Sequence, residues 1–222
     1  LALIGGLLMV FFVPDGPFRK PSKKIDFSAF FKVFQKNEFR SAAFGYFGHM
    51  WELYAFWTFV PIMLATYKSE KEVSLNIPFW SFLIIGVGGL ACVLGGYISQ
   101  KIGVKKTAFY ALLISGVCCL LIPWMFHLNS PFIFLSFLLI WGMVVIADSP
   151  LFSTLVAQNT TPELKGTALT IVNCVGFSIT IISIQFMNYL SEISDSNFIY
   201  MALVLGPIFG LVSLTKKQKT IA

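Results

Sequence analysis

His49, Glu52 and Asp148 are ionisable side chains that stand well inside apolar stretches of this 222-residue chain. An ionisable group in hydrocarbon costs about 2.5–3.5 kcal/mol even on lenient insertion scales, so it marks either function or a specific pairing. His49 and Glu52 are three residues apart, which on a helix places them on one face with Gly45 and Phe56. Burial and a neighbouring imidazolium act oppositely on a carboxyl group's affinity for protons, so such a cluster can gain and lose a proton as its surroundings change. The chemistry within reach is therefore binding of a proton, of a charged group on a solute, or of both. Trp141 and Phe152 fall on the Asp148 face by helical periodicity. With Gly45 and Phe56 they are candidates to line the same cavity, aromatic packing being their plainer role. A purely structural network between two helices is the alternative reading of the three ionisable groups. His49-x-x-Glu52 also has the helical spacing of metal ligands, but no second ligand pair accompanies it, and neither a metal nor a cofactor is expected.

The elements that must position these residues are six long apolar runs, at 42–66, 79–98, 107–126, 131–157, 167–190 and 197–214. At about 1.5 Å per residue each can cross a hydrocarbon core of about 30 Å, and in lipid such a run must be a helix. A further run, Leu1 to Val13, opens the chain, which has no initiator Met and so reads as the C-terminal part of something larger. Hydrophobic residues at 57% and charged residues at 12% lie outside the range of soluble domains and agree with a bundle in lipid. The net charge of +6 is not a nucleic-acid signature, because the cations sit in short segments beside the apolar runs. Alternate connections, at 14–40, 99–106, 158–166 and the C-terminus, hold fourteen of the sixteen Lys and Arg residues. The positive-inside rule makes these connections cytoplasmic. On that orientation Glu52 lies about 15 Å from the cytoplasmic face, His49 about 10 Å and Asp148 about 13 Å.

Within the 14–40 linker, Pro14, Gly16, Pro17 and Pro21 break helix, and a basic cluster follows. Phe27, Phe30, Phe31 and Phe34 then recur at helical spacing among lysines, as in an amphipathic helix lying on an anionic leaflet or packing on the bundle floor. Cys92, Cys118, Cys119 and Cys174 lie inside apolar runs and read as small buried thiols. Gly88-x3-Cys92-x3-Gly96 predicts a close helix contact, and Pro150, two residues after Asp148, a hinge. Asn173 and Gln185 are expected to hydrogen-bond between helices.

Two motifs carry a family resemblance. Residues 96–106, Gly-Tyr-Ile-Ser-Gln-Lys-Ile-Gly-Val-Lys-Lys, resemble the G-x-L-x-D-R-x-G-R-R loop of the major facilitator superfamily, with Gly96, Ile98, Lys101, Gly103 and Lys105 matching in kind. Gln100 stands where that family usually has Asp. Residues 162–166, Pro-Glu-Leu-Lys-Gly, resemble its P-E-x-R-G element, and Thr161 as N-cap with Pro162 at N1 makes a helix start there by local physics. The strings Gly48–Tyr54 and Ala147–Pro150 are similar to those of a group of bacterial members.

The resemblance implies an all-helical integral membrane protein. It has residues 1–13 as the end of a sixth helix, 14–40 as the central cytoplasmic loop, 41–214 as the C-terminal six-helix bundle of a twelve-helix fold and 215–222 as a cytoplasmic tail. It implies a secondary transporter in a bacterial inner membrane that moves a small solute by alternating access. Such a carrier is driven by protons or by the solute gradient, with an N-terminal six-helix half as partner. It also implies that the helices bearing His49, Glu52 and Asp148 line a central cavity. The rivals are a non-transporting sensor or assembly protein on the same scaffold, and a membrane enzyme using His49 with a carboxylate. The enzyme would need a nucleophile or metal site that the sequence does not display, and nothing resembles a P-loop.

Overall fold

The computed structural model describes residues 2–14 and 29–215, and among them it contains helices and no strand. In chain order these are α1 (Ala2–Phe12), α2 (Ala29–Phe34), α3 (Asn37–Glu70), α4 (Ile77–Gly86) and α5 (Gly88–Ile102). There follow α6 (Val104–His127), α7 (Pro131–Ala147), α8 (Ser149–Gln158), α9 (Lys165–Ile193), a 3-10 helix (Asn197–Val204) and α10 (Leu205–Thr215). Five spans are long and apolar enough to cross a membrane: Ile77–Ile102, Val104–His127, Pro131–Gln158, Lys165–Ile193 and Asn197–Thr215. They correspond to the second through sixth expected runs.

The first expected run behaves differently, and the difference has a physical cause. α3 is 34 residues long but too polar to meet the same measure. It is the central helix of the bundle. Eighteen of its residues are buried, and Ile62 is its exposed large aliphatic side chain. A helix sheathed by other helices need not present an apolar surface to lipid, so it can carry His49 and Glu52. α5 and α6 instead turn Leu90, Val93, Ile114 and Trp124 outward, the surface that a lipid solvent requires.

Contact with α3 is made possible by missing side chains. A Cβ on Gly48 would overlap the Gly206 carbonyl oxygen and sit 2.8 Å from the Gly210 nitrogen, so α3 and α10 cross backbone to backbone. Gly176 of α9 instead makes room for side chains of α3, since a Cβ there would meet the Tyr46 ring at 2.7 Å and the Met50 side chain at 3.0 Å. Such close approach is how helices gain dispersion energy where lipid offers no hydrophobic driving force.

Several expectations shift. The connection expected at 99–106 is helical except at Gly103, whose φ of +93° makes the turn, so Gly96 and Lys101 belong to α5 and Lys105 to the first turn of α6. The close contact of α5 uses Gly88, Cys92 and Gly95 against Ile146 and Ala147 of α7, whereas Gly96 faces open space. α9 starts at Lys165 rather than at Pro162, because residues 162–164 form a turn closed by the Leu164 N–H donating to the Thr161 carbonyl (3.1 Å). Cys118 and Cys119 are buried, but Cys174 is exposed. α3 begins at Asn37, inside the expected linker. α2 packs back on the bundle through Val33, which is buried, and Phe34, whose ring meets Phe39 at 5.1 Å. Phe27, most of the basic cluster and the tail from residue 216 lie outside the described residues.

Candidate functional site

Asp148 occupies a break in a membrane helix, and the sequence explains the break. Pro150 has no N–H to give the Ile146 carbonyl four residues back, and its ring crowds that turn, so α7 stops at Ala147 and α8 begins at Ser149. The Cys92 thiol of α5 donates to the Ile146 carbonyl at 3.5 Å, offsetting part of the lost hydrogen bond. The neighbouring span has a matching interruption at Val87, between α4 and α5. A Cβ on Gly142 of α7 would overlap the Ile84 carbonyl oxygen, so the two spans lie against each other close to their breaks.

Into this region α3 projects His49. Its Nδ1 lies 2.9 Å from Asp148 Oδ1, with each side chain only 1% exposed. The contact is an ion pair when His49 is protonated. Both Asp148 oxygens and His49 Nε2 are buried with no hydrogen-bond partner among the described residues. Each such buried polar atom forgoes about 1–3 kcal/mol, a penalty tolerated at functional sites. Rings flank the imidazole, Tyr46 and Phe152 each at 5.9 Å between centroids. Phe152 reaches that position because Gly45 lacks a Cβ, which would overlap its ring edge.

Glu52, one turn further along α3, has a different environment. Its Oε1 accepts hydrogen bonds from Ser115 Oγ (2.5 Å), Trp141 Nε1 (2.7 Å) and Cys119 Sγ (3.2 Å). Three donors from α6 and α7 thus converge on one oxygen, so these bonds tie three helices together. Phe56 packs on the Trp141 ring at 4.4 Å and holds its indole in place. The structure therefore brings His49 and Asp148 into contact and gives Glu52 its own set of partners. It places Gly45, Phe56, Trp141 and Phe152 inside the helix packing around them. Ser115 was not singled out from the sequence, and Cys119 was read there only as a small buried thiol. The signal available was small polar side chains four residues apart on an otherwise apolar run.

The family model described as Major Facilitator Superfamily matches residues 1–184. The chain belongs to that superfamily. No curated protein matches it. Membership, with the apolar spans, makes it an integral membrane protein and places it among membrane transporters. In this superfamily bundle the outer surface of α9 mixes polar side chains with exposed apolar ones such as Ile181 and Ile182. Asn173 and Gln185 of α9, expected to bond between helices, are exposed and make no side-chain hydrogen bond among the described residues. On the same face Phe177, 49% exposed, packs at 5.6 Å on Tyr54 of α3, which in turn meets Trp57 edge-on at 5.2 Å. No sequence signal distinguished these rings in a chain with 24 Phe residues.

Proposed function

We propose that this bundle is one half of a secondary carrier that moves a small solute by alternating access, and that the His49–Asp148 pair is its proton-binding site. The observation that carries the reading is a buried, incompletely bonded acid–base pair placed at a break in a transmembrane helix. With Asp148 ionised and His49 protonated, attraction holds α3 against the α7–α8 junction. A proton on Asp148 cancels that attraction, and the junction, already without its full hydrogen bonding at Ile146, can then change angle. Protonation is thereby linked to the position of α8, which is what coupling a proton gradient to alternating access requires. Glu52 holds α3, α6 and α7 in register while this happens. The exposed amide side chains on α9 are costly in lipid and call for a cover of protein or water. A second six-helix bundle across a solute cavity supplies both.

The test uses the full chain in proteoliposomes, with a solute first found by thermal-shift screening at two pH values. Asp148→Asn should abolish uptake driven by a pH gradient while solute counterflow persists, and should flatten the pH dependence of exchange. Full gradient-driven uptake with an unaltered pH profile in Asp148→Asn would reject the proton-site assignment.

A further inference from the structure

We infer that the groove between α3, α9 and α10 binds one anionic phospholipid, its acyl chain in the groove and its headgroup on Lys36 and Arg40. Such a site needs neither the solute cavity nor a second bundle. The groove holds about 260 Å³, below the about 300–1,000 Å³ of pockets that enclose a small molecule. Its floor is the crossing of α3 and α10 at Gly48 and Gly206, where the backbones already touch, so nearer approach of these helices cannot close it. Its rim is Ile182 of α9 with Leu205 and Phe209 of α10, each half or more exposed. Ile182 stands about 180° round α9 from Asn173, so the rim lies on another side of that helix from this amide. Trp51 closes one end, its indole packed on Phe186 at 5.8 Å and its N–H donated to the Ala202 carbonyl at 3.4 Å. The other lining side chains carry no polar atom, so the groove suits a hydrocarbon chain and not a polar solute.

The headgroup follows from what α3 places in line with the groove. Lys36, Arg40, Phe44, Phe47 and Trp51 recur every three or four residues, so they form one stripe running from the basic end of the bundle to the closed end of the groove. The rings of Phe44 and Phe209 meet at 5.8 Å and continue the apolar track between Arg40 and the groove. Arg40 is roughly 16 Å along α3 from Trp51, and one leaflet of hydrocarbon is about 15 Å deep, so a chain anchored at Arg40 ends where the groove does. Lys36 and Arg40 are exposed. Arg40 gives one N–H to Asn37 Oδ1, and its fork holds others for phosphate oxygens. Glu38, the acidic residue of this first turn, lies about 160° round the helix from Arg40. α2 packs on α3 and α9 at the same end and turns Phe31 outward, 72% exposed, as a segment lying among headgroups would. Two cations at the end of an apolar track match the two parts of an anionic lipid.

The probes are phosphatidylglycerol and phosphatidylethanolamine with identical chains, titrated into the delipidated full chain and read by native mass spectrometry. One phosphatidylglycerol should bind per chain, at least about fivefold more tightly than phosphatidylethanolamine. Lys36→Gln combined with Arg40→Gln should remove that preference. Ile182→Trp fills the groove from its rim and should weaken both lipids about fivefold. Val93→Trp, on the exposed surface of α5 and away from the groove, should bind both as the native chain does. All four side chains are exposed, so these variants leave the packed interior intact. Equal affinity for the two lipids, or a preference kept without Lys36 and Arg40, would overturn the headgroup assignment. Native affinity in Ile182→Trp, or an equal loss in Val93→Trp, would overturn the groove. A dimer that Ile182→Trp dissolves would give the groove to a second copy of the chain. No tightly held lipid and no dimer would give it to another segment of the same chain, and either result sinks the inference.

Discussion

Glu52 and Asp148 are both carboxyl side chains at 1% exposure, yet their surroundings assign them opposite work. Three donors saturate one oxygen of Glu52, while both oxygens of Asp148 lack a hydrogen-bond partner among the described residues. A saturated group resists change and an under-bonded one is poised for it. Glu52→Leu would leave the Trp141 N–H, Ser115 hydroxyl and Cys119 thiol without their acceptor in the protein interior. Each lost partner costs about 1–3 kcal/mol for ordinary donors, less for a thiol. The expected outcome is a fall of several degrees in the thermal unfolding midpoint in detergent. Glu52→Gln, which keeps a carbonyl oxygen in the same place, should lose less than half as much. Equal losses from the two substitutions would show that the hydrogen bonds are not what Glu52 contributes. That His49 and Glu52 would share a face of one helix was legible from their spacing alone. That one turns to α8 and the other to α6 and α7 was not, because it depends on which neighbours reach each side of α3.

At the level of helices, glycines decide which surfaces touch, and they do so individually rather than as a pattern. The run of glycines on α4 and α5 reads from sequence as one contact stripe, but only Gly88 and Gly95 meet α7, while Gly86, Gly89 and Gly96 have nothing within 4 Å. Gly142→Ala places a methyl group against the Ile84 carbonyl oxygen, a backbone atom that cannot swing away, and should destabilise the protein by about 1–3 kcal/mol. Gly89→Ala meets open space and should be neutral or stabilising by up to about 1 kcal/mol through helix propensity. Thermal unfolding of the two variants side by side checks the assignment, and a reversed order would refute it. The apolar runs themselves were legible because hydrocarbon imposes length and composition on anything that crosses it. The polar central helix was recognised through its length, but its sheathed position is a property of the neighbours. The turn at Gly103 was legible from its glycine, but the late start of α9 at Lys165 was hidden because hydropathy blurs over several residues, whereas one turn hydrogen bond sets the boundary.

For the molecule as a whole, the arrangement of helix ends and the placement of charge make one demand on the membrane. Lys101, Lys105 and Lys106 gather around the turn at Gly103, and Lys165 opens α9, so two alternate connections are basic. The intervening one, His127 to Ser130, has no Lys or Arg, nor does the connection between α9 and the 3-10 helix. Spans of 24 and 28 residues, Val104–His127 and Pro131–Gln158, separate these two groups by the thickness of a bilayer, since each is roughly 36–42 Å long. The two sets of connections are then expected in different compartments, and the positive-inside rule predicts the basic set to be cytoplasmic. Single cysteines introduced by Lys105→Cys and Glu192→Cys, in the full chain with Cys92, Cys118, Cys119 and Cys174 replaced by Ala or Ser, check this directly. A membrane-impermeant maleimide added to intact cells should label position 192 and leave position 105 unlabelled until the membrane is opened. Labelling of both from the outside, or of neither, would break the alternation on which the depths of His49 and Asp148 rest. The same background extends the test to the polar face of α9. Cysteine at position 173 or 185 should react when a water-filled cavity is open to the reagent and be protected when bound solute closes it. A face buried permanently in lipid would give the same slow reaction in both conditions.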